Sequence, residues 1–157
     1  IFMEINLDDL EIKAPDTPSM TWKEGEQDWE RYDVYGSSNG IVVARINIQR
    51  VLQPAGNKHD SLFFNMYFSP PIPKPYVSWQ GTEERFRGRG ICGRMILLAN
   101  EAYRGRLGTP FYSDTHFVHT FKDAAKRVWR KLEEQGLAQY EPCIVRSGRL
   151  ADRWHLL

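Results

Sequence analysis

A glycine-rich stretch at residues 85–94 constrains the fold of this chain more than any other feature of its sequence. It reads Arg-Phe-Arg-Gly-Arg-Gly-Ile-Cys-Gly-Arg and follows a β-prone run at residues 75–82. Apolar residues then recur at the spacing of a helix, at Ile91, Met95, Leu98 and Ala102. The pattern predicts a strand, a tight turn and the N-terminus of a helix. Backbone N–H groups and the helix dipole point the same way at such a junction, so it suits an anion, above all a phosphate.

Two familiar phosphate-binding motifs do not account for this stretch. A Walker loop requires Gly-Lys-Ser or Gly-Lys-Thr, and neither follows. Gly88, Gly90 and Gly93 match the spacing of a dinucleotide-binding fingerprint, but no βαβ unit with a distal acidic residue accompanies them. The ordinary alternative is an arginine-rich turn that precedes a core helix.

The composition is that of an ordinary globular chain, but its charge is unevenly distributed. With 157 residues, 41% hydrophobic and 26% charged, the chain is expected to form one domain over residues 1–157. The net charge of +1 argues against a general polyanion binder. Glu83, Glu84 and Glu101 interleave with the arginines and argue against nucleic acid as a partner. The local arginine cluster still suits a phosphate-bearing ligand; it comprises Arg85, Arg87, Arg89, Arg94, Arg104 and Arg106.

Cysteine content and hydropathy set the expected environment. Cys92 and Cys143 are too few for a disulfide framework, and no apolar run approaches the length of a membrane span. We therefore expect a cytoplasmic protein with no membrane partner, and a homodimer is compatible with the sequence. His116 and His119 are three residues apart, but no cysteine or carboxylate set completes a metal site, so no metal is expected.

The order of predicted elements indicates an α+β fold. Apolar residues alternate at residues 41–51, after a turn signal at residues 36–40, which predicts a hairpin within a meander of antiparallel strands. Two main helices are predicted at residues 91–104 and 120–135, separated by a short strand and followed by two more strands. The polar segment at residues 21–29 is compatible with a short helix.

Two blocks of the sequence resemble the GNAT acetyltransferase superfamily. The acetyl-CoA loop of that family follows Gln/Arg-x-x-Gly-x-Gly/Ala, and residues 87–92 read Arg-Gly-Arg-Gly-Ile-Cys, with Cys92 at the Gly/Ala position. Residues 125–137 are similar to the family's Ala-x-x-x-Tyr-x-Lys-Leu-Gly-Phe ending, with Trp129 at the tyrosine position. The resemblance, over about residues 76–140, implies a mixed, mostly antiparallel sheet of about six to seven strands and a parallel, splayed strand pair. The two helices usual after the family's first strand are not evident here.

The resemblance also implies acetyl-CoA as the co-substrate and a set of residues that hold it. In the family, the strand before the loop pairs with the pantetheine arm, and the loop binds the pyrophosphate. Arg89 and Arg94 are equally consistent with solvated surface arginines. The implied cofactor-binding residues are Gln80, Gly81, Thr82, Arg87, Gly88, Arg89, Gly90, Ile91, Cys92, Gly93 and Arg94.

An amine acceptor must lose a proton before it attacks the thioester. For a lysine-like amine near pH 7 this costs roughly 4–5 kcal/mol, so a carboxylate or histidine is usually employed. Glu83 and Glu84 are the first candidates, and their alternative role is to balance the charge of Arg85 and Arg87. Asp114 is a further candidate base.

The family's tyrosine, which protonates the departing CoA thiolate, is replaced here by Trp129, whose indole N–H cannot act as that acid. Tyr112, Ser113 and Tyr140 are weaker candidate acids, and a thiolate can also leave without one. Cys92, at a helix start, is either an activated thiol or a space-filling residue.

The leading functional hypothesis is an acetyl-CoA-dependent N-acyltransferase that acts on an amine of a protein or small molecule. The alternative is a catalytically altered GNAT-like binding protein, of a kind that phages or mobile elements encode, which acts on a host partner protein.

Overall fold

The computed structural model describes residues 5–24, 27–52, 68–69, 76–82, 86–107, 110–113, 122–145, 148 and 150–157. The described chain is α+β, as predicted, with a mostly antiparallel sheet and two α-helices. A single 3₁₀ turn, Leu7–Asp9, precedes the first strand. The strands are β1 Glu11–Lys13, β2 Met20–Glu24, β3 Gln27–Ser38, β4 Ile41–Leu52, β5 Phe68–Ser69, β6 Tyr76–Thr82, β7 Tyr112–Ser113, β8 Ala138–Tyr140, β9 Cys143–Val145, β10 Leu150–Ala151 and β11 Trp154–Leu156. The helices are α1 Ile91–Ala102 and α2 Lys122–Glu134.

The main sheet runs in the order β1-β3-β4-β6-β7-β11-β8, and β2 also pairs with β3 to give eight described strands. A separate three-stranded sheet has the order β10-β9-β5. All described pairings are antiparallel except that of β6 with β7. The predicted parallel strand pair is therefore present at the centre of the main sheet.

The β3–β4 hairpin is the largest part of the sheet and follows the predicted alternation. Tyr32 and Val34 on β3 pair with Ile48 and Ile46 on β4, and all four side chains are buried. Asn39 and Gly40 form the turn with φ of 53° and 77°, the positive values that a two-residue hairpin turn with the favoured twist requires. Burial of one face and the tight turn together fix the register.

The short helix considered for residues 21–29 is wrong, because β2 and the start of β3 form a hairpin there. Trp22 pairs with Trp29 across the two strands. Their rings stack with centroids 5.9 Å apart and planes inclined by 11°. A cross-strand aromatic pair of this kind stabilises the sheet locally, and it outweighs the weak helical preference of the polar residues between them.

Helix α1 packs on the sheet through a continuous buried stripe and ends two residues before the predicted boundary. The stripe comprises Ile91, Cys92, Met95, Ile96 and Ala99. Met95 lies so close to β3 at Gly36 that a methyl group on Gly36 would be 2.7 Å from the Met95 sulfur. The chain then leaves the helix at Tyr103, whose hydroxyl donates a hydrogen bond to the carbonyl of Pro15 at 2.7 Å.

Helix α2 buries Ala125, Trp129 and Leu132 against the core and ends in a Schellman motif. The amide of Leu137 donates to the carbonyl of Leu132 at 2.9 Å, and Gly136 has a φ of 75°. The predicted N-terminal residue of this helix, Thr120, lies outside the described residues. No helix in the described part of the chain is long and apolar enough to cross a membrane.

Candidate functional site

The glycine-rich loop connects β6 to α1 with two residues in the left-handed backbone region. Gly88 has a φ of 79° and Gly90 a φ of 76°. Gly90 is the N-cap of α1, and no side chain caps the helix. A glycine turn that leads into a helix N-terminus presents free backbone N–H groups to solvent, a geometry that binds anions. Both glycines are therefore required by the backbone path.

The amides in the first turn of α1 are available to a ligand. The first described backbone hydrogen bond of this helix start runs from the amide of Arg94 to the carbonyl of Gly90, at 3.1 Å. Within the described ranges, no acceptor is found for the amides of Ile91, Cys92 and Gly93. These N–H groups lie at the positive end of the helix dipole, so their potential favours a negatively charged group.

Side chains beneath the loop hold it against the end of β6. The Nε of Arg87 donates to the carbonyl of Thr82 at 3.1 Å. The Oγ1 of Thr82 lies 3.0 Å from the Sγ of Cys92, and the Phe86 side chain is buried. The loop is therefore anchored on both sides by contacts that do not use its amides.

Cys92 does not have the character of an activated thiol. Burial raises its pKa above the ordinary value, and the hydrogen bond with Thr82 offsets this only in part. A raised pKa reduces the thiolate fraction at neutral pH, and the thiolate is the nucleophilic form. The structure thus favours the space-filling role that the sequence left open for Cys92.

A cavity of about 1230 Å³ opens beside the loop. Its walls are the loop and the first turns of α1, the ends of β4 and β6, part of β3, and one face of α2. Pockets for cofactors and drug-sized ligands usually have volumes of about 300–1,000 Å³, so this one accommodates a large ligand. Of the predicted cofactor-binding residues, Thr82, Arg87, Gly88, Arg89, Gly90, Ile91, Cys92, Gly93 and Arg94 line it.

The charge of the cavity wall is entirely positive among the described residues. No aspartate, glutamate or histidine occurs among the described residues that line it. The Nε of Arg94 is buried and has no hydrogen-bond partner among the described groups. The lining cations are Arg45, Arg87, Arg89, Arg94, Arg127 and Lys131. Such a surface within a chain of net charge +1 selects for an anionic ligand.

Apolar side chains line the side of the cavity formed by β3 and β4. Tyr35 is 38% exposed and Val42 is 53% exposed, and Leu7 lies beside them. A register shift in the β3–β4 pairing leaves Val43 without a partner residue on β3. This side of the cavity provides contact area for an uncharged part of a ligand.

Gly93, predicted as a cofactor contact, lines the cavity and also lies beside the second helix. A methyl group on Gly93 would lie 3.6 Å from Leu132 and 3.8 Å from Val128 of α2. These are ordinary packing distances, so a side chain here would point toward α2 and not toward a ligand at the loop. Only the amide of Gly93 remains available at the loop.

The edge of β6 beyond its parallel partner is open within the described chain. Tyr76 and Val77 pair with β7, and no described strand pairs with that edge from Ser78 onward. On the other edge, Gln80 and Gly81 pair with β4, and a shift of register leaves Ser78 without a partner there. The backbone of this segment can therefore pair with an extended ligand through the alternate residues whose N–H and C=O groups point to the open edge.

The predicted catalytic residues are not brought together by the described structure. Glu83, Glu84 and Asp114 lie outside the described residues, as do His116 and His119. Tyr112 is described, but it does not line the cavity. It pairs with Tyr76 at the opposite end of β6 from Thr82, about 20 Å away at ~3.3 Å per residue.

Tyr112 belongs to a separate polar cluster on β7 and β11. Its ring centroid is 5.4 Å from that of His155, and the Arg153 guanidinium lies over it at 5.2 Å. Burial, and then the charge of Glu141, raise the pKa of Tyr112. Ser113 is buried and accepts a hydrogen bond from the amide of Trp154 at 2.8 Å, and the Tyr140 hydroxyl donates to Asp152. None of the three candidate acids lines the cavity within the described part of the chain.

Sequence reasoning missed much of the cavity wall, including polar and exposed residues of two other elements. Tyr35, Val42 and Arg45 come from the β3–β4 hairpin, and Arg127 and Lys131 come from α2. For Arg127 and Lys131, the sequence offered one indication: two cations four residues apart lie on the same face of a helix. No group of three or more His, Cys, Asp or Glu in the described ranges is arranged to hold a metal ion.

Neither a scan against models of protein families nor a search of curated proteins finds a significant match to this chain.

Proposed function

We propose that this protein is an acetyl-CoA-dependent N-acyltransferase of the GNAT type, acting on an amine of a protein or small molecule. One observation carries the proposal: the accessible amides of residues 91–93 adjoin a large cavity whose described charged groups are all cations. A nucleotide diphosphate is the biological ligand whose charge and acceptor oxygens match this combination.

The proposed mode of binding follows from the loop. The diphosphate accepts hydrogen bonds from the first-turn amides, with Arg89 and Arg94 beside it. Hydrogen bonds to a charged group stabilise by about 1.5–3 kcal/mol each, so two or three of them give a substantial part of the affinity. The buried Nε of Arg94 is one donor for this anion.

The pantetheine arm then extends along the edge of β6 that no described strand covers. Its amides pair with the backbone at Gln80 and Gly81, and this pairing brings the thioester close to the irregular segment at Ser78. In this binding mode a backbone N–H of the segment polarises the thioester carbonyl.

The reaction requires a base that the described cavity wall does not supply. The deprotonated amine attacks the thioester carbonyl carbon, and the nitrogen of the tetrahedral intermediate loses a proton as the C–S bond breaks. The CoA thiolate takes up one proton from that nitrogen or from water, which gives the amide and free CoA. Glu83, Glu84 and Asp114 remain the proposed bases. A thiol with a pKa near 8.5 leaves without a dedicated acid, so the buried Trp129 is compatible with turnover.

Thiol release from acetyl-CoA, measured with a panel of primary amines, tests the activity. We expect release above the rate without acceptor, and a loss of at least about tenfold in whichever of Glu83→Gln, Glu84→Gln or Asp114→Asn removes the base. Absence of acetyl-CoA binding at high micromolar concentration would refute the proposal. We also propose a cytoplasmic location, because Cys92 and Cys143 are free thiols.

A second candidate is a catalytically altered GNAT-like protein that binds a host partner protein. Trp129 favours it, because a side chain that is 1% exposed and lacks an acidic proton stands where the family pattern has tyrosine. This candidate predicts that CoA binds but that no amine supports thiol release. Acetyl transfer to any acceptor would exclude it.

A further inference from the structure

Helix α2 has two pairs of basic residues with different surroundings. Lys126 and Arg130 lie on the side of Asp152: the Nζ of Lys126 donates to Asp152 at 2.8 Å, and Arg130 lines a separate pocket of about 290 Å³ with Asp152. Arg127 and Lys131 line the large cavity beside the glycine loop. The helix therefore directs two of these four cations toward the cavity.

Arg127 and Lys131 form a like-charged pair that makes no ion pair within the described residues. They are four residues apart, so their Cβ atoms lie about 5–6 Å from each other on one face of the helix. Both are exposed. Like charges at this spacing repel one another, and an anion between them removes the repulsion.

The pair and the loop line the same cavity from different elements. Each of these cations precedes a residue that packs against Gly93, namely Val128 and Leu132. Packed helix axes are about 8–10 Å apart, so the α2 cations and the loop amides form two separate binding walls. A diphosphate held by the first-turn amides does not extend to both walls.

We infer that Arg127 and Lys131 bind a second phosphate of the ligand, the ribose 3′-phosphate of CoA, and so distinguish CoA from nucleotides that lack it. The inference rests on the proposed function, since it assumes that the diphosphate binds at the loop. CoA has two separate anionic groups, and the cavity has two separate groups of cations. The 3′-phosphate is a monoester, so it has a higher charge than either phosphate of the diphosphate. Two neighbouring cations bind such a group more strongly than one cation does.

Titration calorimetry with CoA and with dephospho-CoA tests this assignment. We expect the unmodified chain to bind CoA about tenfold more tightly than dephospho-CoA, the effect of one charge-assisted contact. The Arg127→Gln/Lys131→Gln variant should bind the two ligands with affinities within about twofold of each other, with the affinity for dephospho-CoA unchanged. Arg130→Gln is the matched control, because it removes the same charge from the same helix outside the cavity, and it should keep the preference.

The outcomes separate this inference from the proposal on which it rests. If neither ligand binds, the proposed function fails and the assignment fails with it. If both ligands bind with equal affinity, or if the double variant keeps the preference for CoA, only the 3′-phosphate assignment is refuted. A preserved preference with a raised KM for an acidic acceptor would instead assign the pair to the acceptor. Circular dichroism verifies folding, and the single variants replace the double variant if it does not fold.

Discussion

The side-chain oxygen of Thr82 lies 3.0 Å from the sulfur of Cys92. This contact joins the last residue of β6 to the first turn of α1, and so connects the two ends of the glycine-rich loop. Arg87 adds a second connection through the carbonyl of Thr82. Because these contacts leave the first-turn amides available, the loop is held in shape before any ligand binds, which reduces the conformational entropy that binding must overcome.

Alkylation of Cys92 should be slow in the native protein. Burial raises its pKa above 9.0, so the thiolate is scarce at neutral pH and becomes abundant only in alkaline solution above that value. Mass spectrometry after iodoacetamide treatment at pH 7.5 should find Cys92 modified far more slowly than in the unfolded chain. Cys92→Ala should keep the kcat of acyl transfer at saturating acetyl-CoA, with any loss confined to acetyl-CoA affinity, because the contact with Thr82 is removed. Labelling at the rate of a free thiol, or loss of kcat in a folded Cys92→Ala variant, would contradict this account.

Gly88→Ala should lower the affinity for CoA, in addition to a loss of folding stability that any left-handed glycine shows when replaced by alanine. A methyl group there meets no protein atom within 4 Å, but it projects from a backbone with a φ of 79°. The left-handed conformation costs an L-residue roughly 1–2 kcal/mol of folding free energy. Gly105→Ala is the control, because its φ is 78° and it also meets no atom within 4 Å.

The two glycine variants should therefore lose similar stability in urea unfolding, and only Gly88→Ala should lose CoA affinity. Equal CoA affinity in both variants would show that the backbone at Gly88 does not approach the ligand.

Gly36 and Met95 should be energetically coupled. A methyl group on Gly36 would lie 2.7 Å from the sulfur of Met95, which is fully buried. Gly36→Ala should destabilise the protein by about 1–3 kcal/mol through overpacking. Met95→Ala creates space, so the double variant should be more stable than the sum of the two single effects predicts. Additive effects in a double-mutant cycle would mean that α1 does not pack on β3 at this point.

Asp152 should stabilise the fold above its ordinary pKa and lose this effect in acid. Hydrogen bonds from Lys126 and then Tyr140 lower its pKa below 3.8 in the folded state. The unfolded chain therefore takes up the proton first as the pH falls, and the stabilisation disappears as the pH passes through the lowered pKa. Asp152→Asn should be less stable than the unmodified chain at pH 7, and the difference should shrink below pH 3.8.

Urea unfolding across pH 2–8 measures this difference. Glu134→Gln serves as the control, since Glu134 is exposed and makes no ion pair with a described residue. A pH-independent difference for Asp152→Asn would contradict the role of its charge.

Local patterns in the sequence predicted the elements and the loop, but not the walls of the cavity. The alternation at residues 41–51 and the apolar stripes of α1 and α2 gave correct elements, because burial of one face dictates each period. Long-range packing brings the other wall residues to the cavity, among them Tyr35, Arg45, Arg127 and Lys131. No local sequence pattern predicts such packing. The Trp22–Trp29 hairpin was missed for the same reason, since a cross-strand pair depends on register.

The position of the diphosphate in a crystal structure of the CoA complex tests the central claim most directly. We predict diphosphate oxygens about 2.7–3.2 Å from backbone nitrogens in residues 88–93, with the pantetheine chain along β6. Density for the diphosphate elsewhere on the protein, with the first-turn amides of α1 bonded only to water, would contradict the account.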